Sequence, residues 1–313
     1  MRRLILRRLG IGVVLVVVAS AVTFVLIALV PGNAAQTILG ASATPAQVAQ
    51  LARELGLDRP LWAQYASWLG HALRGDLGTS LVSPQPVTAT LDADLSVTLP
   101  LTIGAVGTSL VVGATLGTLA AVRGGAVARL IDLAAMAGLA LPSFWIGLVL
   151  MELVAVKLRW LPATGFVALG ASPLEWLRSL ILPIATLAAG GVAAVARQTR
   201  DSVDDVLRQE FVTALRADGI PARQVLLGHT LRNAAIPVIA VSGTQFVAAL
   251  GGAVVIENVF ALPGLGSTVV QAATDHDLPL IMGAAVYFCV LVVIASLLVD
   301  VAYSLINPKV RLT

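Results

Sequence analysis

The chain has 313 residues, of which 58% are hydrophobic and only 12% charged, with a mean hydropathy of +0.93. A soluble domain of this length is excluded by that composition, and the chain belongs in a membrane. The net charge of +3 gives no support for nucleic-acid binding, the lone Cys289 excludes an internal disulfide, and His71, His229 and His276 lack metal-ligand spacing, so no metal site is expected.

Arg2, Arg3, Arg7 and Arg8 precede an uncharged run over about residues 10–30. A signal-peptide core is about 7 to 15 residues long, whereas a bilayer-crossing helix needs roughly 20. The run therefore reads as an uncleaved first span that starts in the cytoplasm, not as a leader cut at Asn33-Ala34-Ala35. Residues 31–94 form a polar external insertion. Within it Thr44, Pro45 and Gln47 make a capping box with proline at the first helical position, Val48, Leu51 and Leu55 line one face, and Gly56 ends the helix. Asp58 and Pro60 start a second helix whose Leu61, Trp62, Tyr65, Trp68 and Leu69 form an aromatic face suited to the membrane boundary. A lid packed on the spans and a docking platform both fit this insertion.

Five more spans are predicted, at about 95–122, 133–156, 179–196, 233–256 and 278–303, which gives six and an all-α integral membrane protein. Gly113 and Gly117 form a GxxxG pair, and Gly190-Gly191 and Gly251-Gly252 allow close helix approach or bending. Pro142, Pro183 and Pro237 lie in or near spans, where neighbouring helices can satisfy the freed carbonyls. With the start inside, fourteen Lys and Arg fall on inner segments, from Arg2 to Arg311, and six on outer ones: Arg53, Arg59, Arg74, Lys157, Arg159 and Arg178. The positive-inside rule then places both termini and the loop 197–232 in the cytoplasm.

That loop is read as two helices joined by a sharp turn. Val203, Leu207, Phe211, Ala214 and Leu215 recur at helical spacing, Gly219 supplies a left-handed C′ position, Ile220 can make the capping contact, and Pro221 suits the first position of a new helix. From the residues alone, an amphipathic surface hairpin between two spans would look the same. The next external loop, 257–277, has no Lys or Arg.

Phe211, Val212, Ala214, Arg216, Ala217, Gly219, Val225, Leu226, His229, Leu231, Arg232, Asn233, Ala234, Ile236 and Pro237, as they stand here, resemble the cytoplasmic signature loop of ABC-importer permeases of the dipeptide, oligopeptide and nickel type. Three further blocks resemble the same family in the right order: Leu55 to Ser80 with Asp58, Pro60, Tyr65, Trp68 and Asp76; Pro142, Phe144, Gly147, Trp160, Leu161, Pro162 and Gly165; and Glu257, Val259, Phe260, Pro263, Gly264, Gly266, Asp275 and Pro279. The resemblance covers nearly the whole chain. It implies a six-span, type I-like permease fold, a second permease subunit that is usually a different paralogue, two cytoplasmic ATPase subunits holding ATP and Mg, and an external solute-binding protein. The helix after Gly219 is implied to dock on the ATPase, with Glu210, Ala214, Arg216, Asp218, Gly219, Pro221, Arg223, His229 and Asn233 as candidate coupling-loop residues. Thr213, Ala214 and Leu215 stand where the wider family often has Glu-Ala-Ala, so no acidic contact carries over there. The implied location is the bacterial cytoplasmic membrane.

No catalytic site is expected. Lys157 and Lys309, the only lysines, do not follow a glycine, so a P-loop cannot form and ATP hydrolysis must come from partners. No intramembrane protease motif is present. An ion-coupled secondary transporter is the alternative of a different class, but only Glu152 qualifies as a buried charge, near the outer end of its span, and snorkelling or pairing with Lys157 or Arg159 accounts for it. Thr102, Ser109, Ser143, Thr186, Ser242, Thr244 and Gln245 are neutral groups suited to weak contacts with a peptide backbone, although several can bond to their own helix. Short peptides are therefore the expected substrate, with glutathione-like compounds or nickel as alternatives. Gln245 is a candidate for the substrate path, and Glu257, Asp275 and Asp277 are candidates for docking the binding protein or receiving the peptide amine.

Overall fold

The structure is a computed structural model that describes residues 2–29, 34–40 and 42–306. Pro31, Asn33, Lys309 and Arg311, used above for the insertion, the rejected cleavage site and the charge count, lie outside the described residues. The described residues form thirteen α-helices: α1 Arg2–Leu29, α2 Ala34–Leu39, α3 Pro45–Glu54, α4 Leu61–Ala72, α5 Val87–Arg123, α6 Gly125–Ala140, α7 Ser143–Leu150, α8 Pro173–Leu207, α9 Glu210–Ala217, α10 Ala222–Gln224, α11 Leu231–Phe260, α12 Leu265–Asp275 and α13 Leu278–Ile306. Two π-helical stretches, Met151–Lys157 and Val225–Thr230, continue α7 and α10.

Among the described residues five helices are each long and apolar enough to cross a membrane. The region read as a span at 133–156 is covered by two helices, α6 and the α7 stretch, which pass the same test together as a sixth candidate and are bent by 105°. Pro142 is the reason. A residue before proline is disfavoured in the helical region, and Leu141 is extended at φ −83°, ψ 133°, which ends α6. Pro100, Pro183 and Pro237 lie inside α5, α8 and α11 without ending them. Two other helices outrun their apolar runs. α5 begins at Val87, inside the segment assigned to the external insertion, and α8 continues to Leu207, well past residue 196. In both cases charged residues in the extra turns have partners on distant elements: Asp92 and Asp94 in α5 and Arg200 in α8.

The chain divides into two compact units. The first comprises residues 1–98 and 263–293, the second 99–262 and 294–313. In the first, α3 has the expected capping box, with the Gln47 N–H donating to Thr44 Oγ1 at 3.4 Å and the Thr44 N–H to Gln47 Oε1 at 2.9 Å. Gly56, at φ +69°, ends it. α4 packs on α1: the Tyr65 hydroxyl lies 3.1 Å from the Val17 carbonyl and 3.0 Å from Ser20 Oγ, and its ring is 5.6 Å from Phe24. Trp62, assigned to the same face, is 76% exposed. At the start of α5, Asp92 accepts from the Tyr287 hydroxyl at 2.6 Å, Asp94 from Thr268 Oγ1 at 2.6 Å, and Thr98 Oγ1 from the Leu265 N–H at 2.8 Å. These bonds fix α12 and α13 against α5 and explain why two aspartates sit in its first turns.

The second unit is built on α8, which packs against α6, α7 and α11. Its contact with α5 is made where Gly113 and Gly117 face it. A Cβ at Gly117 would lie 2.3 Å from the Ala196 carbonyl oxygen, and one at Gly113 2.9 Å from that of Val192. On the other side Asp132 of α6 pairs with Arg200 of α8, which is why α8 can carry charge beyond its apolar run.

Candidate functional site

The stretch from Arg208 to Asn233 is a helical hairpin with a packed inside and a polar outside. Arg208 and Gln209 interrupt the helix, Gln209 taking an extended φ −72°, ψ 148°, so the apolar stripe does not continue from α8 into α9. Phe211 and Ala214, expected on the buried stripe, are on the exposed side, Phe211 at 37%, and Val212 takes the inner position. It is buried with Val203, Val206, Val225 and Ala234, and Leu215, Ile220 and Leu226 close the cluster.

The turn itself is a complete Schellman motif. Gly219 has φ +77°, its N–H bonds the Arg216 carbonyl at 3.1 Å, and the Ile220 N–H bonds the Leu215 carbonyl at 3.1 Å. Pro221 is the N-cap of the next helix, one position earlier than expected, because its extended ψ of 139° delivers the chain to Ala222. From Val225 the helix widens to π geometry, with Thr230 Oγ1 donating to the Val225 carbonyl at 3.1 Å, and Asn233 Nδ2 donates to the His229 carbonyl at 2.8 Å. Glu210, Ala214, Arg216, Asp218, Gly219, Pro221, Arg223 and Asn233 are exposed and His229 is half-buried. The predicted coupling residues thus share the outer surface of one hairpin. Leu227, 54% exposed, and Phe211 add apolar area to it.

A second feature of this unit is a cavity of about 270 Å³ whose lining includes Ser109, Ser143, Gly190, Gly191 and Gln245 and no ionisable side chain. Gly190 faces open space, while a Cβ at Gly191 would meet Ser109 Oγ at 2.4 Å. The Ser109 hydroxyl bonds the carbonyls of Ala105, at 2.8 Å, and Ala188, at 3.2 Å. Thr186, Ser242 and Thr244 bond carbonyls of their own helices. Gln245, Ser143 and Ser109, the last with its hydroxyl bonded to backbone, are thus the neutral groups brought together at the cavity, and Thr102 is fully buried and not part of its lining.

The acidic candidates fare differently. Glu257 is 0% exposed, so it cannot contact a docking protein as it stands. Asp277, 2% exposed, accepts from Ser80 Oγ, from the Leu81 N–H at 3.2 Å and from the Leu280 N–H at 3.3 Å, which makes it the N-cap of α13 and a tie to the loop before α5. For Asp277 the cause is that Ser80 and Leu81 lie far away in the chain, so from sequence its carboxylate reads as solvated. Asp275 remains accessible and accepts from Gln271 Nε2 at 2.9 Å. Glu152 lies 3.7 Å from Lys157 in an exposed pair, the local pairing expected of it.

The profile of the binding-protein-dependent transport system inner membrane component matches residues 113–312, and that of the N-terminal part of such membrane components matches residues 1–102. The chain belongs to this family. As a permease subunit of an ABC importer it is a multi-pass inner membrane protein of the peptide-permease type. A Brucella abortus (strain 2308) protein named "Putative peptide transport system permease protein" is 38% identical over 312 residues, covering 99% of each chain. The glutathione transport system permease protein of Pectobacterium atrosepticum is 38% identical over 306 residues, covering 97% of each. Among solved structures, a chain of the MetNI methionine ABC transporter aligns with a TM-score of 0.57 at 18% identity, covering 72% of this chain and 100% of that one, a likeness of fold.

Sequence reasoning missed two features of this permease. One is the charged cavity of about 430 Å³ beside the Asp132 to Arg200 pair, lined also by Arg197, Asp201 and Asp204. The other is the π geometry at Val225–Thr230, for which local sequence carries no signal.

Proposed function

We propose that this permease is one half of a transmembrane pair that carries short peptides inward by alternating access, with both termini in the cytoplasm. Two cytoplasmic ATPase subunits, which bind ATP and Mg, drive it, and an external solute-binding protein supplies the peptide. The observation that carries the reading is the hairpin. A glycine turn closed by two backbone hydrogen bonds, with an apolar cluster beneath it, makes a stiff lever. Its outer face combines Phe211 and Leu227 with Arg216, Asp218 and Arg223, a mixture suited to a partner surface. The neutral cavity beside Gln245 supports a peptide over a metal, because nickel would want imidazole, thiolate or carboxylate ligands along its route. The names of the peptide and glutathione relatives support the same class.

The test is a strain lacking this permease, complemented with wild type or Gly219→Val and given labelled di- and tripeptides, glutathione or nickel. Wild type should restore peptide uptake. Valine is strongly disfavoured at φ +77°, so Gly219→Val should reach the membrane in normal amount yet transport nothing. Normal transport by that variant would remove the hairpin as the mechanical link, and restoration of nickel uptake alone would reverse the substrate.

A further inference from the structure

The first unit contains a cavity of about 420 Å³ that the hairpin and the neutral cavity leave unexplained. Its walls include Phe24, Trp68, Pro279 and Met282, and Phe24 and Met282 are buried, at 3% and 0% exposed. Its rim carries both signs of charge. Glu54 comes from the last turn of α3, Arg59 from the turn that follows, His71 from the last turn of α4, and Asp76 from the loop beyond.

These four groups are held in place without neutralising one another. Gln64 Nε2 donates to the carbonyls of Leu57, at 3.2 Å, and Arg59, at 2.8 Å, which fixes the turn bearing the guanidinium. The guanidinium lies over Gly56, where a Cβ would be 3.5 Å from Arg59 Nε. Asp76 accepts the Gly78 N–H at 2.9 Å through one oxygen, Glu54 accepts from Gln50 Nε2 at 3.0 Å, and His71 Nδ1 donates to the Ser67 carbonyl at 2.8 Å. Among the described residues none of the four is ion-paired, and the Arg59 guanidinium has no hydrogen-bond partner. A concave apolar floor with a few convergent polar groups is the usual form of a small-molecule site. Unpaired charges of both signs around it complement a ligand that is itself a zwitterion with an apolar body.

We propose that this cavity binds a free short peptide, with its carboxylate on Arg59, its α-amine toward Glu54 and Asp76, and its apolar side chains over Phe24, Trp68 and Met282. Only the choice of peptide as the zwitterion rests on the transport reading. The site is separate from the cavity beside Gln245 and gives the permease a holding place of its own for the molecule it passes on.

The full chain in lipid nanodiscs, without binding protein, is dialysed to equilibrium against labelled Ala-Phe, N-acetyl-Ala-Phe or Ala-Phe-amide. Saturable binding of Ala-Phe is expected. Arg59→Gln should weaken it about tenfold while leaving the amide unchanged, and the double variant Glu54→Gln, Asp76→Asn should weaken it about tenfold while leaving the acetylated form unchanged. All three side chains are exposed, so the variants keep the fold. No saturable binding to wild type, or wild-type binding by the variants, overturns the site. So does the result that the variants lose capture of the purified binding protein while binding Ala-Phe normally, which would make the cavity a protein-docking surface. Peptide uptake by the complete transporter, measured in parallel, separates the two readings: uptake without binding here overturns this site alone, whereas binding without uptake supports the site and overturns peptide transport.

Discussion

In the first unit many long-range contacts are polar side chains reaching across the sequence, Asp277 to Ser80 and Leu81, Thr98 to Leu265, Asp94 to Thr268 and Tyr287 to Asp92, beside close approaches at Gly12 against Val293 and Gly283 against Val87. In the second, several hydroxyls bond their own helices, and the close approaches are made at glycines: Gly113 and Gly117 against α8, Gly191 against Ser109, Gly252 against Leu187. The difference follows from what each unit must satisfy. Helices in lipid gain little from apolar burial, so they bind through close packing, which small residues allow. Loops such as the one before α5 and the one before α13 have backbone groups that no helix satisfies, and carboxylates and hydroxyls brought from afar supply the partners. A single added methyl group at such a glycine is therefore a strong insult to either unit, and a single lost acceptor a strong one to the first.

The largest expected effect is at Gly117. Even alanine there would place a Cβ 2.3 Å from the Ala196 carbonyl and 2.7 Å from Thr199 Cβ, contacts that only a shift of α5 from α8 could relieve. Gly117→Val should cost at least about 3 kcal/mol, the upper end for overpacking, read as a lower denaturant midpoint and reduced yield of the monodisperse protein. Gly107→Ala on the same helix, with nothing within 4 Å, is the control and should be neutral or slightly stabilising. Equal behaviour of the two would break the contrast. Next comes Asp277→Ala, which strands the Leu81 and Leu280 N–H groups and the Ser80 hydroxyl, for a loss on the order of 2 to 3 kcal/mol. Asn can still accept and cap, so Asp277→Asn should recover most of that stability. If Asn were as damaging as Ala, the negative charge would be what matters, as a docking role would require.

The parts of the fold legible in the sequence are those with local causes. Thr44, Pro45 and Gln47 define the start of α3 within four positions, and Gly56 and Gly219 stop their helices because of their own backbone freedom. Gly113 and Gly117 marked a contact face by spacing alone. What could not be read depended on partners far away. Asp92, Asp94 and Arg200 look like loop residues until Tyr287, Thr268 and Asp132 are known, so the apolar runs alone do not show how far α5 and α8 extend. Asp277 reads as solvated for the same reason. The candidate hairpin was legible in its turn and not in its inner face, since the two-residue interruption at Arg208 and Gln209 resets the helical phase and puts Val212 where Phe211 was expected.

The smallest effect tests how far the polar ties of the first unit act singly. Tyr287 and Asp92 are joined by one 2.6 Å hydrogen bond, and that bond lies in an exposed setting. Tyr287→Phe removes the donor and keeps the ring, so packing is conserved, and Asp92 can turn to water instead of being stranded. Interhelical hydrogen bonds in membrane proteins average about 0.6 kcal/mol, and a loss of that size is expected for this substitution. Asp94 gives the internal comparison. It is 7% exposed, and Thr268→Val would take its hydroxyl partner away at a buried site, where an unsatisfied carboxylate costs more. The two variants, unfolded side by side, should therefore rank with Thr268→Val clearly below Tyr287→Phe. The reverse order would mean that burial does not set the strength of these ties, and the contrast between polar clamps and glycine packing would lose its physical basis.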